Sequence, residues 1–455
     1  MKDYFRKFAL YISIEMDENA IRSEFPILSR TVYGKPLVYL DNAATTQRPR
    51  CVVDLFSKLS LESNANIHRS VHRLSSEATS SYESARDSVC RFINAPSREE
   101  VVFTSGTTGS INLVASSFCE RFLEEGDEVL VSEAEHHSDI VPWQLGSGRK
   151  KAAVKPLRIA DSGEVDLDVL EKSISEKTKI VAINLISNIL GIKNPVKKII
   201  AVCHGKGVPV LVDAAQAALH EKIDVKDLDC DFLAFSGHKV FAVPGVGVLY
   251  GKRKWLDEMP PFLGGGEMIK SVSFSGTSFA PLPGKFEAGT QNITGVATLV
   301  PALDLADQLQ CDKETEARMA AIRDFVMDRL LGDDEGIHVD RKGHFALDFD
   351  AGAVLRVHDL ATDDLALGEV HALCAFKSSC FRDGLRGGEE HGQHDCSVSK
   401  PLHLGADLLA AGNEVLDLAH TDIDVVLLVE LIDVDDLLGA LEGAAADERG
   451  GDRKS

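Results

Sequence analysis

The pattern of apolar residues between Pro36 and Gly251 constrains the fold more than any other feature of this sequence. Short apolar runs that predict buried strands lie at Val101–Phe103, Glu128–Val131, Lys179–Leu185, Val208–Val212, Phe232–Phe235 and Val246–Tyr250. Longer amphipathic stretches that predict helices lie at Ser75–Phe92, Leu167–Ser175 and Val196–His204. Strands that alternate with helices favour an α/β fold with a mostly parallel central sheet covered on both faces. Such sheets bind ligands at the carboxyl ends of their strands, so the polar residues that follow each strand are the candidates for function.

The charge and the cysteines of this 455-residue chain narrow the setting in which it acts. Its net charge of −22 argues against a nucleic acid partner, because phosphate binding needs basic patches. The nine cysteines are scattered without a CxxC pair, which favours a reduced, cytoplasmic setting over a secreted disulfide framework. No apolar run approaches the roughly 20 residues that span a membrane, so no membrane partner is predicted. Residues 1–35 are interpreted as a short N-terminal segment, with an organelle-targeting segment as the alternative.

Two residues that follow neighbouring strands have the chemistry to hold pyridoxal 5′-phosphate (PLP). The turn Ser236–Lys239 follows one predicted strand, and Asp213 follows the strand before it. A lysine amine forms a Schiff base with PLP, while an acid paired with the pyridinium nitrogen keeps it protonated and makes the ring an electron sink. A lone lysine after a strand is usually a solvated surface residue. The aspartate one strand earlier shifts the interpretation toward a PLP site.

Two further loops follow strands and carry polar residues. The segment Thr104–Ser110 lies between a strand and a helix that is predicted to begin near Ile111. Its glycines and hydroxyls offer donors for a phosphate, assisted by the helix dipole. The adjacent residues His136 and His137 follow another strand, and an imidazole stacked on a planar cofactor is the preferred interpretation. No metal site is predicted there, because neighbouring residues seldom converge on one ion and no third ligand is evident.

A series of motifs runs in order from about Ile21 to Ala320. They are EFPILSR, YLDNAATTQRP, NIHRSVHRLS, FTSGTTGSINLVA, EAEHHSDIVPW, ISNILG, LVDAAQA, DCDFLAFSGHK, GVGVLYGK, GGGEMI and KFEAGTQN. In combination they resemble the group II cysteine desulfurases, PLP enzymes of the class V aminotransferase type. The resemblance implies the fold-type-I PLP transferase fold, with a large PLP-binding domain at residues 36–295 and a smaller C-terminal α/β domain at 296–442.

The resemblance also implies an activity and partners. The family converts L-cysteine to L-alanine and passes the sulfur on through an enzyme persulfide, for iron–sulfur cluster assembly or related sulfur trafficking. Selenocysteine lyase activity is the close variant. A homodimer and a sulfur-acceptor protein are the partners that follow from this resemblance.

Residue roles follow from the same motifs. Lys239 resembles the lysine that holds PLP as a Schiff base and moves the proton at the substrate Cα. Asp213 resembles the pyridinium partner, and His136 resembles the imidazole stacked on the ring. Gln216 resembles the donor to the phenolic oxygen, and Asn188 resembles a residue near the substrate carboxylate and the cofactor.

The phosphate site is implied in the same way. Thr108, Ser236 and His238 match the family's phosphate ligands, with Thr107 beside them. Thr277 matches a loop that reaches the phosphate of the neighbouring subunit. An active site completed across two subunits is the reason for expecting a homodimer.

The last part of the chain departs from the family. From Arg341 onward, 10 Lys and Arg residues oppose 23 Asp and Glu residues. The family's Arg-x-Gly-His-His-Cys-Ala segment, which carries the nucleophilic cysteine, is not found, nor is the later segment whose arginine holds the substrate carboxylate. Cys396 is the candidate nucleophile because His394 lies just before it, with Cys374 and Cys380 as alternatives. A shifted reading frame and a divergent domain are the two interpretations of this tail.

The departure sets what is expected of the chain as written. We expect it to bind PLP with little or no desulfurase turnover, because loss of a covalent nucleophile blocks persulfide formation. Residues 443–455 are expected to be disordered. The alternatives are another fold-type-I PLP enzyme that needs no protein thiol, such as a C–S lyase or an aminotransferase, and a PLP-binding protein that has lost catalysis. Dependence on one cysteine separates the first alternative from a desulfurase, and release of sulfide and alanine separates the second.

Overall fold

The computed structural model describes residues 18–311, except for 40, 69–70 and 161, together with two short strands further on. The α-helices are α1 (Glu18–Ser23), α2 (Arg50–Glu62), α3 (Arg73–Phe92), α4 (Thr107–Phe122), α5 (Val141–Lys150), α6 (Leu167–Ser173), α7 (Val196–Gly205), α8 (Ala217–His220), α9 (Val225–Leu228), α10 (Arg253–Glu258), α11 (Ile293–Ala297) and α12 (Leu299–Cys311). The strands are β1 (Thr31–Val32), β2 (Lys35–Pro36), β3 (Val101–Thr104), β4 (Glu128–Ser132), β5 (Ala153–Leu157), β6 (Thr178–Asn184), β7 (Val210–Asp213), β8 (Phe232–Ser236), β9 (Gly247–Gly251), β10 (Ile269–Ser273), β11 (Gly276–Phe279), β12 (Ile337–Val339) and β13 (Phe345–Leu347). Short 3-10 turns lie at Pro26–Ser29, Arg98–Glu100, His137–Asp139, Gly237–Lys239 and Gly284–Phe286.

The central sheet has the order β3-β9-β8-β7-β6-β4-β5. The ladders from β8 through β7, β6 and β4 to β5 are parallel, whereas β9 runs antiparallel to both β8 and β3. This arrangement confirms the predicted α/β fold with a mostly parallel sheet. Strands β10 and β11 form a separate antiparallel hairpin.

Helices cover both faces of the sheet. Because successive strand residues point to opposite faces, each strand contributes to two apolar clusters. Leu211 of β7 belongs to the cluster that contains Phe118 of α4 and Trp143 of α5. The next residue, Val212, belongs to the cluster on the other face, with Tyr82 of α3. Strands buried on both faces explain why the apolar runs in the sequence are continuous rather than alternating.

Two local predictions differ from the structure. The helix expected near Ile111 begins one turn earlier, at Thr107. That prediction is wrong because the Thr107 amide finds an acceptor in Ser236 Oγ, so the chain becomes helical directly after the loop. The apolar pattern also does not predict β5, because this strand lies at the sheet edge, exposes most of its residues and contains Pro156.

Several predictions fall on residues outside the described part of the chain. These are residues 1–17 of the N-terminal segment 1–35, most of the domain 296–442 and the tail 443–455, so those assignments stay predictions. The proposed boundary at residue 295 falls inside α11, which packs with α12 against α3. None of the helices within the described ranges combines the length and the apolar character that crossing a membrane requires.

Candidate active site at the carboxyl edge of the sheet

Strand register brings the sequence-predicted site residues to one edge of the sheet. Asn184 of β6 is level with Asp213 of β7, and Asp213 is level with Ala234 of β8. The loops that leave this edge carry His136 after β4, Asn188 after β6, Gln216 after β7 and Lys239 after β8. Side chains that are far apart in the sequence therefore meet where a parallel sheet binds its ligands.

The loop between β3 and α4 forms an anion-binding cradle. Ser236 Oγ accepts a hydrogen bond from the Thr107 amide at 2.8 Å and lies 2.8 Å from Thr107 Oγ1. Gly106 has a φ of 150° and crosses β9 so closely that a Cβ at Gly247 would lie 2.3 Å from its backbone. Only glycine fits at Gly247, because any side chain there would collide with Gly106. The absence of a side chain lets the loop between β3 and α4 lie flat on the sheet edge. The amides of Thr108 and Gly109, in the first turn of the 16-residue helix α4, then have no acceptor within the helix and are available to a phosphate.

The residues that are predicted to bind the phosphate differ in their solvent exposure. Thr107 is buried and fastened to Ser236, whereas Thr108 is exposed in the first turn of α4. The Nδ1 atom of His238 lies 3.2 Å from Thr45 Oγ1. Burial, and then the charges of Lys239 and Arg48, lower the pKa of His238. The neutral imidazole that results keeps hydrogen-bonding capacity toward a phosphate.

A buried ion pair holds β3 beneath this loop. Arg86 Nη1 and Nη2 donate to the two carboxylate oxygens of Glu287 at 2.8 and 2.9 Å. Glu287 also accepts from the Phe103 amide at 2.8 Å and from the Tyr82 hydroxyl at 3.1 Å. Arg86 Nη1 donates in addition to the Val101 carbonyl at 2.7 Å. The guanidinium thus holds Val101 at the start of β3, and the carboxylate holds Phe103 near its end.

Asp213 is the carboxyl group at the centre of the site. It is 5% exposed, and its Oδ1 accepts from the Ala215 amide at 2.8 Å. Burial raises its pKa from the usual 3.8 to about 6, although the Ala215 amide and the Lys239 charge both act to lower it. A buried carboxylate that gains from a cationic partner fits the pyridinium of PLP, and the adjoining lysine and anion cradle fit its aldehyde and phosphate.

His136 is oriented by its own turn. The Ser138 amide donates to His136 Nδ1 at 3.1 Å, and the Ser138 hydroxyl lies 2.7 Å from the same nitrogen. A backbone N–H can only donate, so Nδ1 is an acceptor and the neutral ring carries its proton on Nε2. This contact fixes the plane of the imidazole that is predicted to stack on the cofactor.

The loop around Thr46 contacts the turn that carries Lys239. Its residues were not among the predicted site residues. The Thr46 amide and hydroxyl donate to the His238 carbonyl at 3.0 and 2.9 Å, and Thr46 Oγ1 accepts from the Phe241 amide at 3.0 Å. Gln216 Nε2 donates to the Ala43 carbonyl at 3.2 Å. The motif YLDNAATTQRP was the available signal, but nothing in it showed that its threonines fasten the turn that carries Lys239.

Other predicted site residues are less constrained by the structure. Asn188 is half-buried in a turn after β6, and Thr277 lies on the exposed hairpin β10–β11. The roles predicted for both stay predictions. Cys396, the predicted nucleophile, lies outside the described residues. Among the residues that are described, no group of three or more His, Cys, Asp and Glu side chains is arranged to hold a metal ion.

The cysteines in the described part of the chain are poor nucleophiles. Those with described side chains are Cys51, Cys90, Cys119, Cys203 and Cys230. Burial raises the pKa of every one of these thiols. Since the thiolate is the reactive form, none of them is suited to attack a sulfur atom. A nucleophilic thiol in this chain has to come from elsewhere in the sequence.

We predict that Asp213→Asn stabilises the PLP-free protein at neutral pH. The folded-state pKa of about 6 lies above the usual 3.8, so the cost of burying the charge is absent near pH 4 and complete above pH 6. Asparagine keeps the acceptor for the Ala215 amide and removes the charge. The gain should be about 2–3 kcal/mol at pH 7.5, at about 1.4 kcal/mol per pKa unit. Urea unfolding at pH 4 and pH 7.5 checks this, and a variant that is less stable than wild type at pH 7.5 would contradict it.

Comparison with known proteins identifies the family. The class-V aminotransferase family model matches residues 38–341. A probable cysteine desulfurase of Vibrio cholerae is 48% identical over 286 residues, which are 63% of this chain and 71% of that protein. A probable cysteine desulfurase of Streptomyces coelicolor is 46% identical over 321 residues, which are 70% of this chain and 77% of that protein.

A solved structure agrees with these relatives. The crystal structure of a cysteine desulfurase from Escherichia coli superposes with a TM-score of 0.66 at 36% identity, over 74% of this chain and 84% of that chain. A family match over more than half of the chain and relatives at this identity confirm the resemblance and the PLP-dependent fold that the motifs predict. The chain belongs to the class-V aminotransferase family of PLP-dependent enzymes, among the cysteine desulfurases.

Proposed function

We propose that this protein is a PLP-dependent cysteine desulfurase that converts L-cysteine to L-alanine. The observation that carries the proposal is the placement of Lys239 and the buried Asp213 at the ends of adjoining strands, close enough for the lysine charge to act on the carboxyl. When bound, PLP supplies the electron sink that makes bonds at the amino acid's Cα and Cβ labile. L-Selenocysteine has the same bonding and is the related substrate.

The chain's own residues divide the work. Lys239 anchors the cofactor, and its Nζ, as the neutral amine, takes the proton from the substrate Cα and returns it. Asp213 holds the proton on the ring nitrogen by a charge-assisted hydrogen bond. Gln216 would contact the phenolic oxygen, and Asn188 would lie near the substrate carboxylate.

The remaining residues position the cofactor. Thr108, Ser236 and His238 orient the phosphate, with Thr107 fixing Ser236. His136 covers the ring face, held by Ser138. With the cofactor bound, these groups would keep the reacting carbon near the lysine nitrogen.

The sulfur step requires a thiolate that accepts the substrate sulfur as a persulfide while alanine leaves. Cys396 remains our candidate, because His394 can help form its thiolate. Transfer of the persulfide to an acceptor protein, in iron–sulfur cluster assembly or related trafficking, and a cytoplasmic location complete the proposal.

The test has two stages, and both use the full chain supplied with PLP. L-Cysteine should change the absorbance of the bound cofactor, which tests the site itself. Release of alanine, and of sulfide once an added thiol reduces the persulfide, then tests the nucleophile, with Cys374, Cys380 and Cys396 each changed to serine. A spectral change without alanine supports the site and places the loss in the tail. Sulfide release that survives all three substitutions, with pyruvate and ammonia in place of alanine, favours a thiol-independent C–S lyase, and no spectral response to cysteine contradicts the proposal.

We further propose that the enzyme is a homodimer in which the hairpin β10–β11 lies at the subunit interface. Thr277 is on this hairpin, and its neighbours Val272 and Phe274 are 64% and 115% exposed. Large apolar side chains on an exposed strand pair are typical of an interaction surface rather than of a solvated loop. A partner that covers this hairpin brings Thr277 to the partner's phosphate loop.

Phe274→Asp is expected to shift the protein from dimer to monomer in light scattering and to weaken PLP binding in parallel. A charge on the hairpin has to be desolvated at an apolar interface, which costs free energy. Leu145→Asp is the matched control, since Leu145 is also exposed, at 59%, but lies on α5. A wild-type monomer with PLP fully bound would contradict the dimer.

A further inference from the structure

Two buried carboxyl groups flank the turn that carries His136. Glu135 precedes this histidine and Asp139 ends the 3-10 turn after it; they are 3% and 0% exposed. The Asp139 amide donates to the His136 carbonyl at 2.7 Å, so the turn is closed on itself. Neither acid has a role in the chemistry proposed above. Two fully buried acids beside a cofactor site need a physical explanation.

One oxygen of each carboxyl group is satisfied by the protein. Glu135 Oε1 accepts from the Asn184 amide at 2.8 Å and from Asn184 Nδ2 at 2.9 Å. Asp139 Oδ1 accepts from Trp143 Nε1 at 2.8 Å. These donors hold the two side chains in fixed orientations, from β6 on one side and from α5 on the other.

The second oxygens, Glu135 Oε2 and Asp139 Oδ2, are buried and receive no N–H or O–H from another residue. The two groups nevertheless act on each other: the charge of Asp139 raises the pKa of Glu135, and a side-chain hydrogen bond with Glu135 acts to lower the pKa of Asp139. Because an ionised carboxylate only accepts, such a bond requires a proton on one of the two oxygens. A single proton between them satisfies both atoms at once.

The surrounding charges favour retention of that proton. Burial raises the pKa of both carboxyls well above their usual range, and the negative charge of Asp213 acts on both in the same direction. Asp213 differs from the pair because Lys239 is near enough to favour its ionised form. Of the three carboxyls, Asp213 is therefore the one that can carry a full charge alone.

We propose that Glu135 and Asp139 share one proton and act as a singly charged unit, which holds the His136 turn in place and leaves Asp213 as the ionised carboxylate that faces the cofactor. Both are positioning residues, since they act through His136 and Asp213. The part that concerns Asp213 rests on the proposed PLP site, whereas the proton itself can be measured without turnover.

The proton is tested by infrared difference spectroscopy on the full chain loaded with PLP. Glu135→Gln and Asp139→Asn each place an amide donor where the shared proton lies, so each should remove the carbonyl band of a protonated carboxyl. With one shared proton, the double variant should lose no more of this band than either single variant. Additive losses, which indicate two separate protons, or no such band in wild type would overturn the proposal.

The pH dependence of unfolding gives a second readout that a merely structural role does not move. The folded pair holds a proton that the unfolded chain releases at neutral pH, so the wild-type unfolding constant should rise with pH more steeply than that of Asp139→Asn, by up to about tenfold per unit. Asp224→Asn is the matched control, because hydrogen bonds lower the pKa of Asp224 and keep it ionised through this range. Parallel profiles for wild type and Asp139→Asn would overturn the shared proton, whether or not the enzyme turns over cysteine.

Discussion

Replacement of Glu287 by alanine is expected to destabilise the protein by about 3–5 kcal/mol, the usual cost of removing one partner from a buried ion pair. Arg86 is 2% exposed, so its charge cannot turn to water once the carboxylate is gone, and the partly exposed Glu83, 3.2 Å from Nε, is the acid that remains beside it. The Phe103 amide and the Tyr82 hydroxyl also lose their acceptor. Urea unfolding of the variant and of wild type at pH 7.5 measures the difference.

A surface pair provides the control for this result. Glu258 lies 2.8 Å from Arg121, but both side chains are 52% exposed. Glu258→Ala should therefore change the stability by no more than about 1 kcal/mol. If Glu287→Ala costs as little as Glu258→Ala, water reaches Arg86 and the buried pair does not hold β3.

Lys239→Ala is expected to abolish covalent attachment of PLP and to lower turnover of cysteine by at least about 10³-fold, since the change removes both the anchor and the proton-transfer group. Borohydride reduction followed by mass measurement of the chain should show one bound cofactor in wild type and none in the variant. Alanine release measures the loss of turnover.

Lys252→Ala is the matched lysine variant. Lys252 also follows a strand of the central sheet, but β9 runs antiparallel to β8, so Lys252 lies at the opposite edge of the sheet. There its Nζ donates to the Asp229 carbonyl at 2.8 Å. It should retain the trapped cofactor at wild-type level. Labelling of any lysine other than Lys239 would show that the assignment of the anchor is wrong.

The central sheet could be predicted because its strands are buried on both faces. Continuous apolar runs such as Phe232–Phe235 leave little alternative, and β8 begins and ends within one residue of that prediction. The edge strand β5 could not be predicted in this way. A continuous apolar run marks a strand that is buried on both faces, and most residues of β5 are exposed. Lys239 and Asp213 could be predicted for a similar reason, because each is a polar residue that follows a buried strand directly or after a short turn.

The parts that were not predicted depend on contacts between distant residues. Glu287 looks like any surface acid in the sequence, and its partner Arg86 is 201 residues away. The contact between Thr46 and the carbonyl of His238 spans 192 residues. Periodicity and motif spacing describe neighbours along the chain, so neither can reveal which charge or hydroxyl another segment will bury.

The close contact between Gly106 and Gly247 also fixes when during synthesis the cofactor site can form. The phosphate loop lies flat only once β9 is in place beside β3, and Glu287 completes the ion pair with Arg86 that holds β3. At ordinary elongation rates the ribosome needs about 10–40 s to proceed from the loop to that glutamate. A nascent chain that ends before Gly247 has no completed phosphate cradle, so cofactor loading follows translation of this region rather than guiding it.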